Sequence, residues 1–202
     1  MITTIIFDLG GVVFKPDWDK INESVIKETG VSIFKPKNLD KDYHKELNRG
    51  NITEEQYFDL LKKVANKEEF STKDLIKIYQ TYYERYTYVD DRIVSLLNLL
   101  KKKYQLVCIT DTNPVHARVN ESRGIFKLFN HNYVSFSNGF LKSDLGAFQK
   151  ILQKIGKKSE ECLFVDDADI NLTEANKIGI KTLKFENYEK LISDMKTIKL
   201  ID

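Results

Sequence analysis

IIFDLGGVVF occupies residues 5–14: an apolar run, one aspartate at Asp8, and two glycines, Gly10 and Gly11. The run is continuous rather than alternating, which marks a strand covered on both faces, as in a parallel sheet. A carboxylate at the exit of such a strand, followed by almost no side chain, raises the possibility of chemistry at that edge. Three further runs have the same character, Thr3–Phe7 being the first of the set and Gln105–Ile109, Asn132–Phe136 and Cys162–Val165 the others; Ile180–Leu183 is a shorter fifth. Helical patterns lie between them. Ile93, Leu96, Leu97 and Leu100 recur at i, i+3, i+4, i+7, Leu145, Phe148, Leu152 and Ile155 form a similar stripe, and the segment 169–177 stops before Gly179. Strand alternating with helix predicts an α/β fold with a doubly wound parallel sheet.

Residues 16–88 break the alternation. Tyr57, Leu60, Leu61 and Val64 make one helical stripe, and Leu75, Ile78, Tyr79 and Tyr82 another. Thr53 and Gln56 carry capping-box spacing. The expectation is a core of residues 1–15 and 89–202 with an inserted α-helical cap, 16–88, leaving the first strand where ligands bind in open α/β sheets. The aromatic stretch from Ile78 to Asp91 is read as helix packing and hinge.

The residues after each strand are Asp8; Thr110, Asp111, Thr112 and Asn113; Lys142 and Asp144; and Asp166 with Asp167. In a parallel sheet they gather at one edge. Singly, each has a structural reading: a turn residue, a helix cap, a surface lysine. Jointly, carboxylates, hydroxyls and an ammonium suit a hard divalent cation such as Mg2+ and an anionic group such as phosphate.

The remaining composition bounds the function. Lys and Arg number 32 against 30 acidic residues, a balance that gives no case for nucleic acid or an anionic membrane. No apolar run approaches the roughly 20 residues of a spanning helix. The N-terminal residues lack a signal-peptide pattern. Cys108 and Cys162 sit in strand-like runs without metal-ligand spacing and read as core residues, and His44, His116 and His131 are scattered. A cytoplasmic protein is expected.

With these motifs in place, the sequence resembles the haloacid dehalogenase (HAD) superfamily, in particular its members with a helical cap after the first strand. IIFDLGGVV resembles the first motif, VCITDTN the second, Lys142 the third, and LFVDDADINLTEANKIGI, with Asp166, Asp167, Asn171, Ala175 and Gly179, the fourth. The DLGGV and TDTN variants are most similar to sugar-phosphate phosphatases, including glucose-1-phosphate phosphatases. The resemblance implies a Rossmann-like core and magnesium-dependent hydrolysis of a small phosphorylated metabolite through an aspartyl-phosphate. It implies Asp8 as nucleophile, and Mg2+ held by Asp8, the Gly10 carbonyl and Asp167, with Asp166 direct or through water. Thr110 and Lys142 become catalytic and phosphate-binding residues, and Asp111 and Asn113 join them in binding substrate. Two departures stand out. Most phosphatases of the superfamily carry a general-acid aspartate where this chain has Gly10, and many relatives have proline where it has Ser143. Alternatives on the same fold are a weakly catalytic ligand-binding or regulatory protein and a metal-independent dehalogenase-type hydrolase.

Overall fold

The computed structural model describes residues 1–34 and 42–201; the part of the expected cap at 35–41 lies outside them. The sheet contains β1 (Thr4–Phe7), β4 (Gln105–Thr110), β5 (His131–Val134), β6 (Cys162–Asp166) and β7 (Lys181–Lys184), in the spatial order β5-β4-β1-β6-β7 and parallel throughout. A two-stranded antiparallel ribbon, β2 (Phe14–Pro16) with β3 (Thr87–Val89), stands apart from it. Between the ribbon strands lie α1 (Trp18–Thr29), α2 (Tyr43–Arg49), α3 (Glu54–Ala65) and α4 (Thr72–Arg85). After them come α5 (Asp91–Leu100), α6 (Pro114–Ser122), α7 (Ser135–Asn138), α8 (Ala147–Ile155), α9 (Asp169–Asn176) and α10 (Tyr188–Thr197).

The unbroken apolar runs are explained by two layers of helices. Ile5, Phe7, Leu106, Cys108, Leu163 and Val165 pack with Ile93, Leu97, Leu191 and Met195 of α5 and α10. Their chain neighbours Ile6, Val107, Ile109, Cys162 and Phe164 pack with Phe148, Ile151, Leu172 and Ala175 of α8 and α9. Successive strand residues face opposite ways, so a strand buried on both faces needs an apolar side chain at every position. The two cysteines are free and buried, one in each layer.

The inserted helices have their own apolar cluster, built on Ile21, Val25, Leu47, Tyr57, Phe58, Leu61, Leu75, Tyr79 and Tyr83. Val115 and Val119 of α6 complete it. The Thr53–Gln56 capping box forms, with both reciprocal bonds present. The buried stripes are wider than expected: Phe58 joins Tyr57 and Leu61, and Ile76 and Tyr83 join Leu75 and Tyr79, with Ile78 and Tyr82 partly buried against the same cluster.

Two other expectations are corrected. The third strand ends at Val134, and Ser135 and Phe136 turn into α7 because the Ser135 hydroxyl bonds both the amide and the carbonyl of Thr112. Leu145, placed in a helical stripe by its spacing, precedes α8 and is 94% exposed.

Chain order fixes where a ligand can sit. From central β1 the chain moves to β4 and then β5 on one side, and returns to β6 and β7 on the other. The carboxyl ends of β1, β4 and β6 therefore flank the crevice where strand order reverses, the usual ligand position in open α/β sheets.

Candidate active site

A cleft of about 650 Å³ opens at that crevice, lined by Asp8, Gly10, Gly11, Thr110, Lys142 and Asp167 at its floor and by Lys15, Trp18, Phe185 and Glu186 toward its mouth. Asp8 follows directly on β1, with its amide donating to the Val165 carbonyl at 2.9 Å. Register places it level with Asp166, the last residue of β6, and with Ile109, one residue short of Thr110 at the end of β4.

Lys142 holds the floor together. Its ammonium, 3% exposed, lies 2.8 Å from Asp8 Oδ1 and 2.7 Å from Asp166 Oδ2. Burial works against its charge, but Asp8, Asp166 and Asp111 outweigh burial and raise its pKa. One ammonium cannot neutralise two carboxylates. Burial, opposed by Lys142 and reinforced by Asp166, thus leaves the Asp8 carboxyl pushed up to about 7.

Asp166 and Asp167 differ sharply. Asp166 is fully buried and its oxygens are occupied: Lys142 and Asn171 donate to Oδ2, and Asn171 and the Ala168 amide donate to Oδ1, at 2.7–3.1 Å. A carboxylate offers about four lone-pair sites, so these contacts fill it. It does not cap α9, whose N-cap position is Ala168. Asp167 points into the cleft. Burial and Asp166 raise its pKa. Its carboxylate lies so close to Gly11 that a Cβ there, at φ +81°, would collide with it, whereas a Cβ at Gly10 would meet nothing nearer than Phe14 Cε2 at 3.9 Å.

Asp8, Asp166 and Asp167 each present a carboxylate oxygen within 4.8 Å of the others. Three carboxylates share one ammonium, an excess of negative charge equal to that of one divalent cation. Oxygen-only donors of this kind suit a hard ion, so the donor set fits Mg2+.

The structure redistributes two expected substrate-binding residues. Asp111 lines the cleft, but its carboxylate accepts the Lys142 amide at 3.0 and 3.3 Å, and burial raises its pKa. Asn113 does not line the cleft. It is the N-cap of α6, 1% exposed, with its side-chain oxygen accepting from the His116 amide and its NH2 against the His116 ring. The capping geometry of Asn followed by Pro114 accounts for its presence.

Asp17 likewise caps α1, with Lys20 holding its pKa down. No tyrosine of the 78–91 stretch lines the cleft. Lys15, Trp18, Phe185 and Glu186 were not singled out by sequence reasoning, because they sit outside the strand-end motifs.

The chain matches haloacid dehalogenase-like hydrolase over residues 2–179. It is 27% identical over 199 residues to a D-ribitol-5-phosphate phosphatase of Bacteroides thetaiotaomicron, covering 93% of each chain. Among solved structures it is similar to a HAD-like family hydrolase of Porphyromonas gingivalis, with TM-score 0.83, 23% identity and all of each chain covered. It is also similar to a HAD family enzyme of B. thetaiotaomicron in complex with magnesium and inorganic phosphate, with TM-score 0.82, 22% identity and 95% and 99% covered.

The two adjacent glycines should respond oppositely to alanine. Gly11→Ala is expected to destabilise by more than about 1 kcal/mol, and Gly10→Ala to be neutral or stabilising by up to about 1 kcal/mol, in urea unfolding. A second expectation concerns pH. The raised pKa of Asp8 means that its contribution to stability is present in acid and lost as pH rises from about 4 through about 7. Asp8→Asn removes that loss. In chelator, the stability difference between variant and parent should therefore move in the variant's favour across this window, as thermal unfolding at a series of pH values would read.

Proposed function

The chain belongs to the haloacid dehalogenase-like hydrolases, and within that family we propose that it is a magnesium-dependent phosphatase acting on small phosphomonoesters, sugar or polyol phosphates among them. The carrying observation is the floor of the cleft: three carboxylates within 4.8 Å around a single buried ammonium, with Asp167 pressed against Gly11. The similarity to a D-ribitol-5-phosphate phosphatase supports the substrate class. A dehalogenase-type reaction without metal leaves the crowding of Asp167 onto Gly11 unexplained.

In this reading Asp8, the Gly10 carbonyl and Asp167 would hold Mg2+. Asp166, its lone pairs already filled, fixes Lys142 and completes the negative field. Bound there, the ion supplies neutralisation of the carboxylates and of the phosphoryl oxygens. Asp8 attacks phosphorus, the new Oδ–P bond forms as the bond to the leaving oxygen breaks, and water then hydrolyses the aspartyl-phosphate. Lys142 and the Thr110 hydroxyl hold the transferring oxygens, whose charge is spread in the transition state. Residues 16–88 act as the cap: Trp18, at the start of α1, lies on the cleft, so the insert stands on the same edge as Asp8.

The test is phosphate release from a panel of sugar phosphates with Mg2+ and with EDTA. Activity should vanish in EDTA and in Asp8→Asn, since an amide is a poor nucleophile and a poor ligand. Release unaffected by complete metal removal would refute the proposal. A further expectation follows from Gly10, which has no side chain to protonate the leaving group. General acid catalysis is worth about 10²–10⁴-fold, so single-turnover rates should fall steeply from aryl to alkyl phosphates. Gly10→Asp, whose Cβ the loop accepts without a clash, should flatten that dependence; a flat series in the parent protein would mean that another group supplies the proton.

A further inference from the structure

Helix α2 reaches the loop that carries Lys142 at a point no motif marks. Arg49, the last residue of α2, forks onto Asp144: Nη2 donates to Oδ1 at 2.6 Å and Nε to Oδ2 at 3.1 Å. The same Oδ2 accepts the Leu141 amide at 2.8 Å. The next amide, that of Lys142, is held by Asp111. Two successive backbone amides are thus fixed by two carboxylates, one anchored in the core and one anchored by the insert. The pairing also shows in the acidity of the groups: the Arg49 hydrogen bonds lower the Asp144 pKa, and Asp144 raises that of Arg49.

A second contact locks the same end of α2. Gly50, its C-cap at φ +74°, lies against the backbone of α7, and a Cβ there would collide with the Phe136 carbonyl oxygen. One residue earlier, Ser135 is bonded to Thr112 of the loop after β4. The docking point of α2 therefore meets the loop that carries Lys142 directly and is linked, through α7 and Ser135, to the loop after Thr110. Ser143 follows Lys142, so no proline ring stiffens this backbone; the carboxylate contacts do so instead.

We propose that Arg49 is a positioning residue for Lys142: the docking of α2 fixes, through Asp144 and the Leu141 amide, the loop from which the Lys142 ammonium reaches Asp8. The inference rests on the phosphatase reading for its effect on rate, but the mechanical link stands on these contacts alone. An isolated, partly exposed ion pair contributes little to stability. A bidentate fork whose acceptor also holds a backbone amide is different in kind, because it sets geometry. Its consequence is that docking of the insert adds the restraint on Leu141 to those that Asp111, Asp8 and Asp166 place on Lys142, so the precision of the Lys142 position is tied to closure.

The experiment compares Arg49→Met, Asp144→Ala, the double variant and Gly50→Ala with the parent protein. One readout is hydrolysis of p-nitrophenyl phosphate with Mg2+; the other is amide hydrogen exchange at Leu141 and Lys142, which needs no activity. In each variant kcat should fall, between about tenfold and about 100-fold as for a misplaced catalytic group, with KM little changed. The double variant should be no worse than the worse single one, and Arg49→Lys should recover part of the loss. Exchange at Leu141 and Lys142 should accelerate in Arg49→Met, although neither amide bonds to Arg49.

A rise in KM with kcat unchanged would make Arg49 a substrate contact and overturn the proposal, as would multiplicative losses in the double variant or unaltered exchange in Arg49→Met. Should the parent protein not hydrolyse the ester at all, the phosphatase reading fails by itself. The exchange measurement then still decides the link, for or against.

Discussion

A buried ammonium between two buried carboxylates is the constraint on which the rest of the site depends. Lys142 cannot be charged and 3% exposed without Asp8 and Asp166 at 2.7–2.8 Å, because an unpaired charge at such depth costs several kcal/mol. That requirement is topological before it is chemical. The partners come from β1 and β6, which are adjacent only because strand order reverses at β1. Lys142 comes from a loop beyond β5, two strands away, and must span β4 to reach them. Asp111, at the end of β4, meets the Lys142 amide on the way. The residue expected to bind substrate thus guides the backbone of the residue proposed to bind phosphate.

Such a site is assembled against its own electrostatics. Asp8, Asp111 and Asp167 are all pushed toward their neutral forms by burial, and the packing of the two apolar layers must hold them together. The glycines show the same economy of space. Gly11 is glycine because Asp167 occupies the place of its side chain and because φ is +81°. Gly10 is under neither constraint: a Cβ there meets nothing nearer than 3.9 Å and its φ is not positive. The adjacent residues look equivalent in the sequence, but only Gly11 is held to glycine by its surroundings.

The strand-end logic made most of this legible. Unbroken apolar runs identified all five sheet strands, and the residues just after them include every group on the cleft floor. Legibility failed where a residue's role depends on a neighbour distant in sequence. Asn113 followed a strand as Thr110 did, but the start of α6 claimed its side chain. Leu145 matched a helical period by spacing alone, with no helix beneath it. The short ribbon β2–β3 has three residues in each strand, too few for a period-2 pattern to register. Arg49 carried no signal at all: a basic residue near the end of a helix is ordinary, and only the fold brings it to Asp144.

Among the described residues the contacts of the insert with α6 differ in kind from those that α2 makes with the loop of Lys142 and with α7. On one side Val115 and Val119 of α6 are part of the insert's own apolar cluster, Arg118 of α6 pairs with Glu54, and Arg123 donates to the carbonyls of Glu84 and Thr87. On the other side α2 meets the core through Arg49 on Asp144 and through Gly50 on the α7 backbone. Parting the first exposes apolar surface at roughly 25 cal/mol per Å². Parting the second exposes charged and backbone groups that water solvates readily, so its net cost is far smaller. The cheaper of the two contacts to part is therefore the one at α2, and it is the one that bears on the loop of Lys142, which the proposed role of Arg49 requires.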